Sequence, residues 1–183
     1  MSVSEPPSRR EQIVAAARRL LEEEGPAALS MRNVAAEIGI RAPSLYEHVA
    51  DKRALESAII AAGLGEQAAV LRAAVAADED PLTAVGAAWR TWALAHPHVY
   101  RLIYARDLDR SDPAVAAAEQ EAAAPIWALC GGDKLTARVI WAFAHGTVQL
   151  ELSDRFPPGA DVEAIWARGM TALRALLPAD ASG

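Results

Sequence analysis

The sequence contains one cysteine, Cys130, among 183 residues. A single cysteine cannot form a disulfide within its own chain, which excludes the disulfide framework of small secreted proteins. The first twelve residues, MSVSEPPSRREQ, lack the apolar segment of a signal peptide. No uninterrupted apolar run reaches the roughly 18 residues that a membrane-spanning helix needs. These absences predict a soluble, cytoplasmic protein without a membrane partner.

Excess charge is confined to one part of the chain. The net charge is −6, but residues 1–53 hold eight Lys or Arg and eight Asp or Glu and are therefore neutral. The acidic excess belongs to the remaining residues. The N-terminal part can still present a basic face, so the charge of the whole chain does not exclude a nucleic-acid partner.

Helical periodicity runs through the chain, and no segment alternates like a strand. The predicted helices cover residues 9–24, 31–38, 43–48, 51–77, 81–94, 98–108, 113–129, 134–153 and 161–178. Ser30 is a candidate N-cap, Gly39 a candidate left-handed C-cap, and Pro43 suits the first turn of a helix. The prediction is an all-α fold of about nine helices, preceded by a flexible arm at residues 1–8.

A helix, a tight turn at Gly39 and a second short helix form a candidate helix-turn-helix. The second helix, residues 43–48, is too short to be stable alone, but a helix that reads the major groove needs only one or two exposed turns. We expect Ile38, Leu45 and Val49 to stabilise it by packing on the first helix. This geometry predicts binding to double-stranded DNA.

The polar side chains around this unit fit the chemistry of DNA. Those that can donate hydrogen bonds to phosphate are Ser44, Tyr46, His48 and Lys52. Arg32 and Arg41 are better suited to bases, because a guanidinium can bond guanine O6 and N7 together. Taken alone, Tyr46 fits a half-buried aromatic and His48 an ordinary surface histidine. Their combination, in this order, favours a DNA-binding surface.

Two runs of residues carry a family resemblance. Residues 30–40, SMRNVAAEIGI, and residues 43–55, PSLYEHVADKRAL, resemble the DNA-binding domain of TetR-family repressors. The similarity extends over about residues 10–56. Many family members have phenylalanine where Val49 stands, which is a packing difference only. The resemblance implies a three-helix, helix-turn-helix DNA-binding domain at residues 9–56.

The resemblance also implies a set of DNA-binding residues. The base-facing positions are Arg32, Arg41, Ala42, Pro43 and Ser44, and the positions that contact the DNA backbone are Ser30, Tyr46, His48 and Lys52. Glu47 lies in the same neighbourhood and would repel phosphate if it pointed inward. We therefore expect Glu47 to face solvent.

The C-terminal part carries a shorter similarity. Trp141, His145 and Gly146 resemble the Trp-His-Gly pattern of one C-terminal subgroup of the same family. The resemblance implies that residues 57–183 form a helical domain that binds a ligand, the effector, and dimerises.

The last two predicted helices are candidates for a dimer interface. Residues 134–153 are apolar on nearly every side and should be buried between two partners, while one side holds the polar residues Lys134, Arg138, His145 and Gln149. The final helix has apolar or small residues at near-heptad spacing: Val162, Trp166, Gly169, Leu173 and Leu176. A homodimer through residues 133–177, built as a four-helix bundle, fits this pattern. The alternative is a core within one chain.

All five tryptophans lie in the C-terminal part. An apolar pocket with a few polar groups would suit a small molecule. The candidate effector-pocket residues are Trp89, Trp92, His96, Tyr104, Trp127, Trp141 and His145. The alternative is that these aromatic side chains fill an ordinary core.

The predicted function is that of a sequence-specific DNA-binding transcriptional regulator that binds a palindromic operator as a homodimer. The family resemblance implies a repressor that an unidentified small-molecule effector releases from the operator. The alternative is a helical adaptor that binds protein instead of DNA. An enzyme is disfavoured, because Cys130 has no His or Asn context and Gly63-x-Gly65 lacks the third glycine of a dinucleotide fingerprint. No catalytic residue, metal or cofactor is predicted.

Overall fold

The computed structural model describes residues 6–105 and 109–178, and these form nine α-helices and no strand. The helices are α1 (Arg9–Glu24), α2 (Met31–Glu37), α3 (Ala42–Tyr46), α4 (Lys52–Ala77), α5 (Pro81–Ala95), α6 (Pro97–Ala105), α7 (Pro113–Leu129), α8 (Lys134–Leu152) and α9 (Val162–Arg174). The all-α prediction is confirmed. Most of the predicted arm, residues 1–5, and the end of the predicted helix 98–108 lie outside the described residues.

The last helix is shorter than predicted. It was expected to reach residue 178, but α9 ends at Arg174, and residues 175–177 continue as turns with hydrogen bonds to the third residue back. Pro178 disfavours helical backbone at the residue before it, so the chain leaves the helix ahead of that position. Helix α4, which contains Gly63 and Gly65, is continuous for 26 residues.

The chain divides into two compact units, Met1–Gly63 with His98–Ala116, and Leu64–Pro97 with Ala117–Gly183. The first unit contains α1, α2 and α3, and α6 from His98 onward. The second contains α5, α8 and α9, while α4 and α7 contribute residues to both. The functional division after residue 56 stays a prediction.

In the first unit, α1 begins with a complete capping box. The Ser8 Oγ accepts a hydrogen bond from the Glu11 N–H at 3.3 Å, and the Ser8 N–H donates to the Glu11 carboxylate at 2.6 Å. Near the other end of α1, the Glu22 carboxylate accepts hydrogen bonds from the backbone N–H groups of His98 and Val99 at 3.1 and 2.8 Å. A carboxylate at the first turn of α6 satisfies two otherwise unbonded donors and complements the helix dipole.

In the second unit, α9 lies against α5 and α8. A Cβ added to Gly86 on α5 would meet the Met170 Sδ at 2.8 Å, so the two helices approach closely there. Gly169 on α9 lies directly under the Phe143 ring of α8. Arg174 forms an ion pair with Asp80, the N-cap of α5. The close approach at Gly86 and the Arg174–Asp80 ion pair therefore hold α9 along α5.

One helix, α4, is long and apolar enough to cross a membrane by length and composition alone. The mean hydropathy of its most apolar 18-residue window is 1.4, and 44% of that window is buried. Core helices of soluble proteins pass the same test.

Candidate nucleic-acid interface

Local hydrogen bonds build the turn between α2 and α3. Ser30 has extended backbone geometry and its Oγ accepts from the Asn33 N–H at 3.2 Å, which confirms the predicted N-cap of α2. Gly39 has φ +68°, and the Ile40 N–H donates to the Ala35 carbonyl at 2.9 Å. This bond closes α2 in the manner of a Schellman motif, for which glycine is the favoured residue. The predicted role of Gly39 is confirmed.

The helix-turn-helix is held by a small apolar core. Leu45 of α3, Val49 and Val34 of α2 are buried. Ile38 was expected on the inner face as well, but it is only half-buried, because it is the C-cap of α2 and its backbone has left the helical region. Burial of one large residue from α3 is consistent with a helix of five residues that depends on its neighbours.

The predicted DNA-binding residues surround this core on the outside of the unit. Exposed members are Arg32, Arg41, Pro43, Tyr46, His48 and Lys52, and half-buried members are Ser30, Ala42 and Ser44. Tyr46 exposes 51% of its surface, so about half of this side chain is open to solvent. The structure brings all nine residues together on α2, α3 and the segments next to them.

The cations of this surface differ in their partners. Among the residues that the structure describes, Arg32 and Arg41 have neither an ion pair nor a side-chain hydrogen bond. Lys52 lies 3.8 Å from Glu56 and remains half-exposed, and Arg53 is paired with Asp109 at 3.1 Å. Because the Lys52 ammonium is half-exposed and its separation from the buried Glu56 carboxylate is long, a phosphate can compete for Lys52.

Two side chains of the first unit form structural contacts that were not predicted from the sequence. Asn33 donates from Nδ2 to the Ala28 carbonyl at 2.9 Å and so fixes the turn between α1 and α2. Glu22 holds the start of α6, as described above. An Asn three residues after an N-cap serine is a weak sequence signal for the first contact. No sequence pattern signals the second, because its partners are 76 and 77 residues away.

The candidate effector-pocket residues fall into separate groups. In the second unit, Trp89 and Trp92 are buried, and the Trp92 ring lies 5.3 Å from His96 between centroids. Trp141 and His145 are stacked at 5.4 Å with nearly parallel planes. The remaining two have other neighbours: the Lys134 ammonium lies 5.1 Å over the Trp127 ring, and in the first unit Tyr104 lies 4.6 Å from Tyr100.

Helix α8 has one buried and one exposed side. Ala137, Ile140, Ala144 and Val148 are buried, but Leu135, Val139, Trp141 and Leu150 are exposed, with Leu135 showing 71% of its surface. Of the predicted polar residues, Lys134 and Arg138 are exposed and His145 and Gln149 are half-buried. Burial lowers the pKa of His145 below its usual range. An exposed apolar helix side of this length is typical of an interface.

Three of the five near-heptad residues, Trp166, Gly169 and Leu173, lie against the rest of the chain, which corrects the interface prediction for these three. Trp166 and Leu173 are buried, and Trp166 makes an edge-on contact with Phe143 at 5.7 Å. Gly169 is covered by the same phenylalanine. These residues fill a core within one chain, because α9 packs on α5 and α8. The large apolar side chains that remain exposed at this end are Ile165 and Leu176.

Within residues 6–105 and 109–178, no three His, Cys, Asp or Glu side chains come together in a group that could hold a metal ion.

Burial is the larger cause of the raised pKa of the Cys130 thiol, and the nearby charge of Asp133 is the smaller cause.

Comparisons with known proteins agree in both parts of the chain. A family model described as "Bacterial regulatory proteins, tetR family" matches residues 13–59, and one described as "Tetracyclin repressor-like, C-terminal domain" matches residues 82–173. An HTH-type transcriptional regulator of Mycobacterium tuberculosis, Rv0681, is 31% identical over 153 residues, which are 79% of this chain and 70% of that protein. The chain belongs to the TetR family.

Several solved structures share the fold. A protein of unknown function from Rhodococcus sp. RHA1 superposes with a TM-score of 0.80 at 22% identity, covering 97% of this chain and 100% of that one. The multidrug-binding protein EbrR, in complex with imidazole, has a TM-score of 0.65 at 27% identity, with 94% and 97% covered. A TetR variant from Acinetobacter baumannii AYE in complex with minocycline has a TM-score of 0.65 at 23% identity, with 93% and 96% covered.

The family assignment decides between the predicted functions. TetR-family proteins are transcriptional regulators that bind DNA, and this chain carries both the DNA-binding and the C-terminal domain of the family. The chain is therefore a DNA-binding transcriptional regulator, and the protein-binding adaptor is set aside.

Proposed function

We propose that this TetR-family regulator binds a palindromic operator through the nine predicted residues of the helix-turn-helix and is released from it by a small molecule. The observation that supports the DNA contacts is the exposed surface of α2 and α3, where Arg32 and Arg41 are free of protein partners among the described residues. Two unpaired guanidinium groups next to a short exposed helix suit the acceptor pattern of guanine in the major groove. Ser30, Tyr46, His48 and Lys52 set the position on the phosphates.

Operator binding requires a dimer, because half-sites about 34–36 Å apart need two reading helices at a fixed distance. We place the dimer interface within residues 133–177, on the exposed side of α8 with Leu135, Val139 and Leu150. A two-fold arrangement would bring this side against its copy and bury the apolar side chains of both. Ile165 on α9 and Leu176 just beyond it are also exposed and are further apolar candidates for this interface.

Effector binding is proposed for the second unit, where α5 supplies Trp89, Trp92 and His96. Buried aromatic rings with a half-buried imidazole at the end of the helix offer an apolar environment with one polar handle. EbrR is described as multidrug-binding and was crystallised with imidazole. Its similarity supports a small organic ligand for this chain as well.

Release of the operator requires an effector that binds two conformations of the dimer with different affinity. An effector that binds better to a dimer whose reading helices have a different separation lowers DNA affinity by mass action. Because α4 begins at Lys52 and continues without interruption to Ala77, it is a covalent link from the helix-turn-helix to the second unit. We also propose that the regulator represses transcription, is located in the cytoplasm and catalyses no reaction.

The DNA part is tested by fluorescence anisotropy on a duplex that the purified protein selects from randomised DNA. We expect Arg32→Ala and Arg41→Ala to lose about 1–3 kcal/mol each at one base position. Lys52→Ala should weaken binding to all sequences and reduce the salt dependence. Arg72→Ala, an exposed arginine on α4, is the control. If Arg32→Ala, Arg41→Ala and Lys52→Ala bind the duplex with the same affinity as the Arg72→Ala control, the assigned surface is contradicted.

The effector part is tested by screening small molecules for release of the same labelled duplex. Once a releasing compound is found, His96→Gln and His145→Gln in the second unit and Tyr104→Phe in the first unit are compared with the unchanged protein. A shift in the half-releasing concentration of either histidine variant supports the pocket in the second unit, and a shift in Tyr104→Phe alone contradicts it. Unaltered release in all three variants shows that these residues do not bind the effector.

A further inference from the structure

We propose that Glu47 is a specificity-determining residue, whose carboxylate accepts a hydrogen bond from the amino group of a cytosine in the major groove. This inference rests on the proposed DNA-binding function and adds to it an acidic side chain that lowers affinity for most sequences. The predicted DNA-binding set contains no such residue.

The direction of Glu47 follows from the geometry of α3. Glu47 is the C-cap and still has helical backbone angles, φ −67° and ψ −23°. Residues four apart on a helix are separated by about 40° around its axis, so Glu47 and Pro43 project from the same side. The buried Leu45 lies about 160° from each of them. Glu47 and Pro43 therefore point away from the core, on the side of α3 that the proposed function turns to DNA.

The structure gives the Glu47 carboxylate no task within the protein. It is exposed, and among the described residues it accepts no hydrogen bond and forms no ion pair. The nearest acidic residue on each side of Glu47 in sequence is engaged. Glu37 pairs with Arg19 at 3.0 Å, and the Asp51 carboxylate accepts from the Ala54 N–H at 2.8 Å, at the start of α4. An ion pair and a helix cap therefore account for the Glu37 and Asp51 carboxylates, whereas the Glu47 carboxylate has no such role among the described residues.

Within the described part of the chain, no cation is bonded to the Glu47 carboxylate. Lys52 and Arg53, the first two cations after it in sequence, have Glu56 and Asp109 as partners, and Arg32 and Arg41 are assigned to the DNA bases. A carboxylate that enters the groove without a bonded cation is repelled by the phosphates of both strands. It gains a compensating bond only where the base edge presents a donor.

The donors of the major groove restrict the partner. An ionised carboxylate only accepts hydrogen bonds. Guanine and thymine present acceptors at the groove edge, and the donors are adenine N6 and cytosine N4. Adenine N6 lies beside the acceptor N7, which repels a carboxylate, so cytosine is the base that pairs with Glu or Asp. Glu47 would therefore weaken binding to most sequences and weaken it least where a cytosine lies opposite. This is discrimination by repulsion of the wrong partner.

The experiment compares base preferences selected from randomised DNA by the unchanged protein and by Glu47→Gln, which keeps the shape and removes the charge. We expect the unchanged protein to require cytosine at one position of each half-site. In Glu47→Gln the preference for cytosine there should fall by about fivefold or more, and affinity for non-specific DNA should rise. Glu23→Gln, the same charge change at an exposed position on α1, should alter neither.

Three outcomes overturn the inference. Identical base preferences and identical non-specific affinity in Glu47→Gln would show that Glu47 is only a solvated side chain. Loss of an adenine preference, instead of cytosine, would refute the base assignment. If the unchanged protein enriches no palindrome, the proposed DNA-binding function fails, and the inference fails with it. This last result is distinct because it appears before any variant is compared.

Discussion

Arg90 of α5 holds Glu151 of α8 through two parallel hydrogen bonds, 2.8 Å from Nε and 2.7 Å from Nη2. Its third nitrogen, Nη1, donates to Glu163 of α9 at 2.5 Å. Both side chains of the first pair are mostly buried. Hydrogen bonds to Glu151, and then to Glu163, raise the pKa of Arg90 above its usual range. One guanidinium thus ties together three helices of the second unit, two of which carry the proposed dimer interface.

Removing this guanidinium should destabilise the protein. Arg90→Met keeps much of the side-chain volume but leaves the Glu151 carboxylate without its cation. We expect a loss of about 2 kcal/mol, below the 3–5 kcal/mol typical of fully buried pairs because some water reaches the site. Chemical denaturation measures the change. The double variant Arg90→Met with Glu151→Gln should recover part of the loss, and a purely additive result would contradict a direct interaction.

Replacing Glu22 should loosen the start of α6. Glu22→Ala removes the acceptor of the His98 and Val99 N–H groups. We expect a loss of about 1 kcal/mol in the free energy of unfolding, the usual effect of losing a cap. Hydrogen exchange at these two amides should accelerate. Glu23→Ala, at an exposed position one residue further along, should leave both amides protected as before. Unchanged exchange in Glu22→Ala would show that the contact is not formed in solution.

Gly169→Ala should destabilise α9. The added methyl group would overlap the Phe143 ring, which must move away from Trp166 as a result. Overpacking of this kind costs about 1–3 kcal/mol. Gly65→Ala, with no atom within 4 Å of the added carbon, is the matched control and should stabilise α4 by about 0.5–1 kcal/mol. Equal melting temperatures for the two variants would contradict the close packing of α8 and α9.

Stability should fall in mild acid because of His145. Burial lowers its pKa below 6.5, so the folded state prefers the neutral ring. As the pH falls through about 6.5, the unfolded chain takes up the proton first, and folding loses free energy until the folded pKa is passed. His145→Gln should show a flatter dependence of melting temperature on pH. If the protein instead gained stability in acid, the result would indicate that the protonated ring is held by the stacked Trp141.

A charge on the exposed side of α8 should dissociate the proposed dimer. Val139→Glu places a carboxylate among apolar side chains that the partner would bury. We expect monomers in sedimentation experiments at micromolar concentration and a large loss of operator affinity. Val70→Glu makes the same change at an exposed position on α4 and should remain dimeric. A dimeric Val139→Glu would place the interface elsewhere.

Sequence was sufficient wherever a feature depends on near neighbours. The cap at Ser30 and the turn at Gly39 require only residues within one helical turn, and both were predicted correctly. Near-heptad spacing on α9 fits a core and an interface equally well, and its packing against Gly86 of α5 and Phe143 of α8 shows which side is inside. Partners far apart in sequence, such as Glu22 and His98, leave no local pattern. The DNA and effector contacts stay predictions, because neither depends on the fold of this chain alone.

The most direct test of the regulator's proposed mode of binding is selection of bound fragments from randomised DNA by the purified protein at about physiological salt. We expect enrichment of a palindrome whose half-sites are separated by about one helical turn or a multiple of it, occupied by two protomers. Absence of any enriched sequence, with Lys52→Ala retaining the salt-dependent affinity of the unchanged protein, would contradict it.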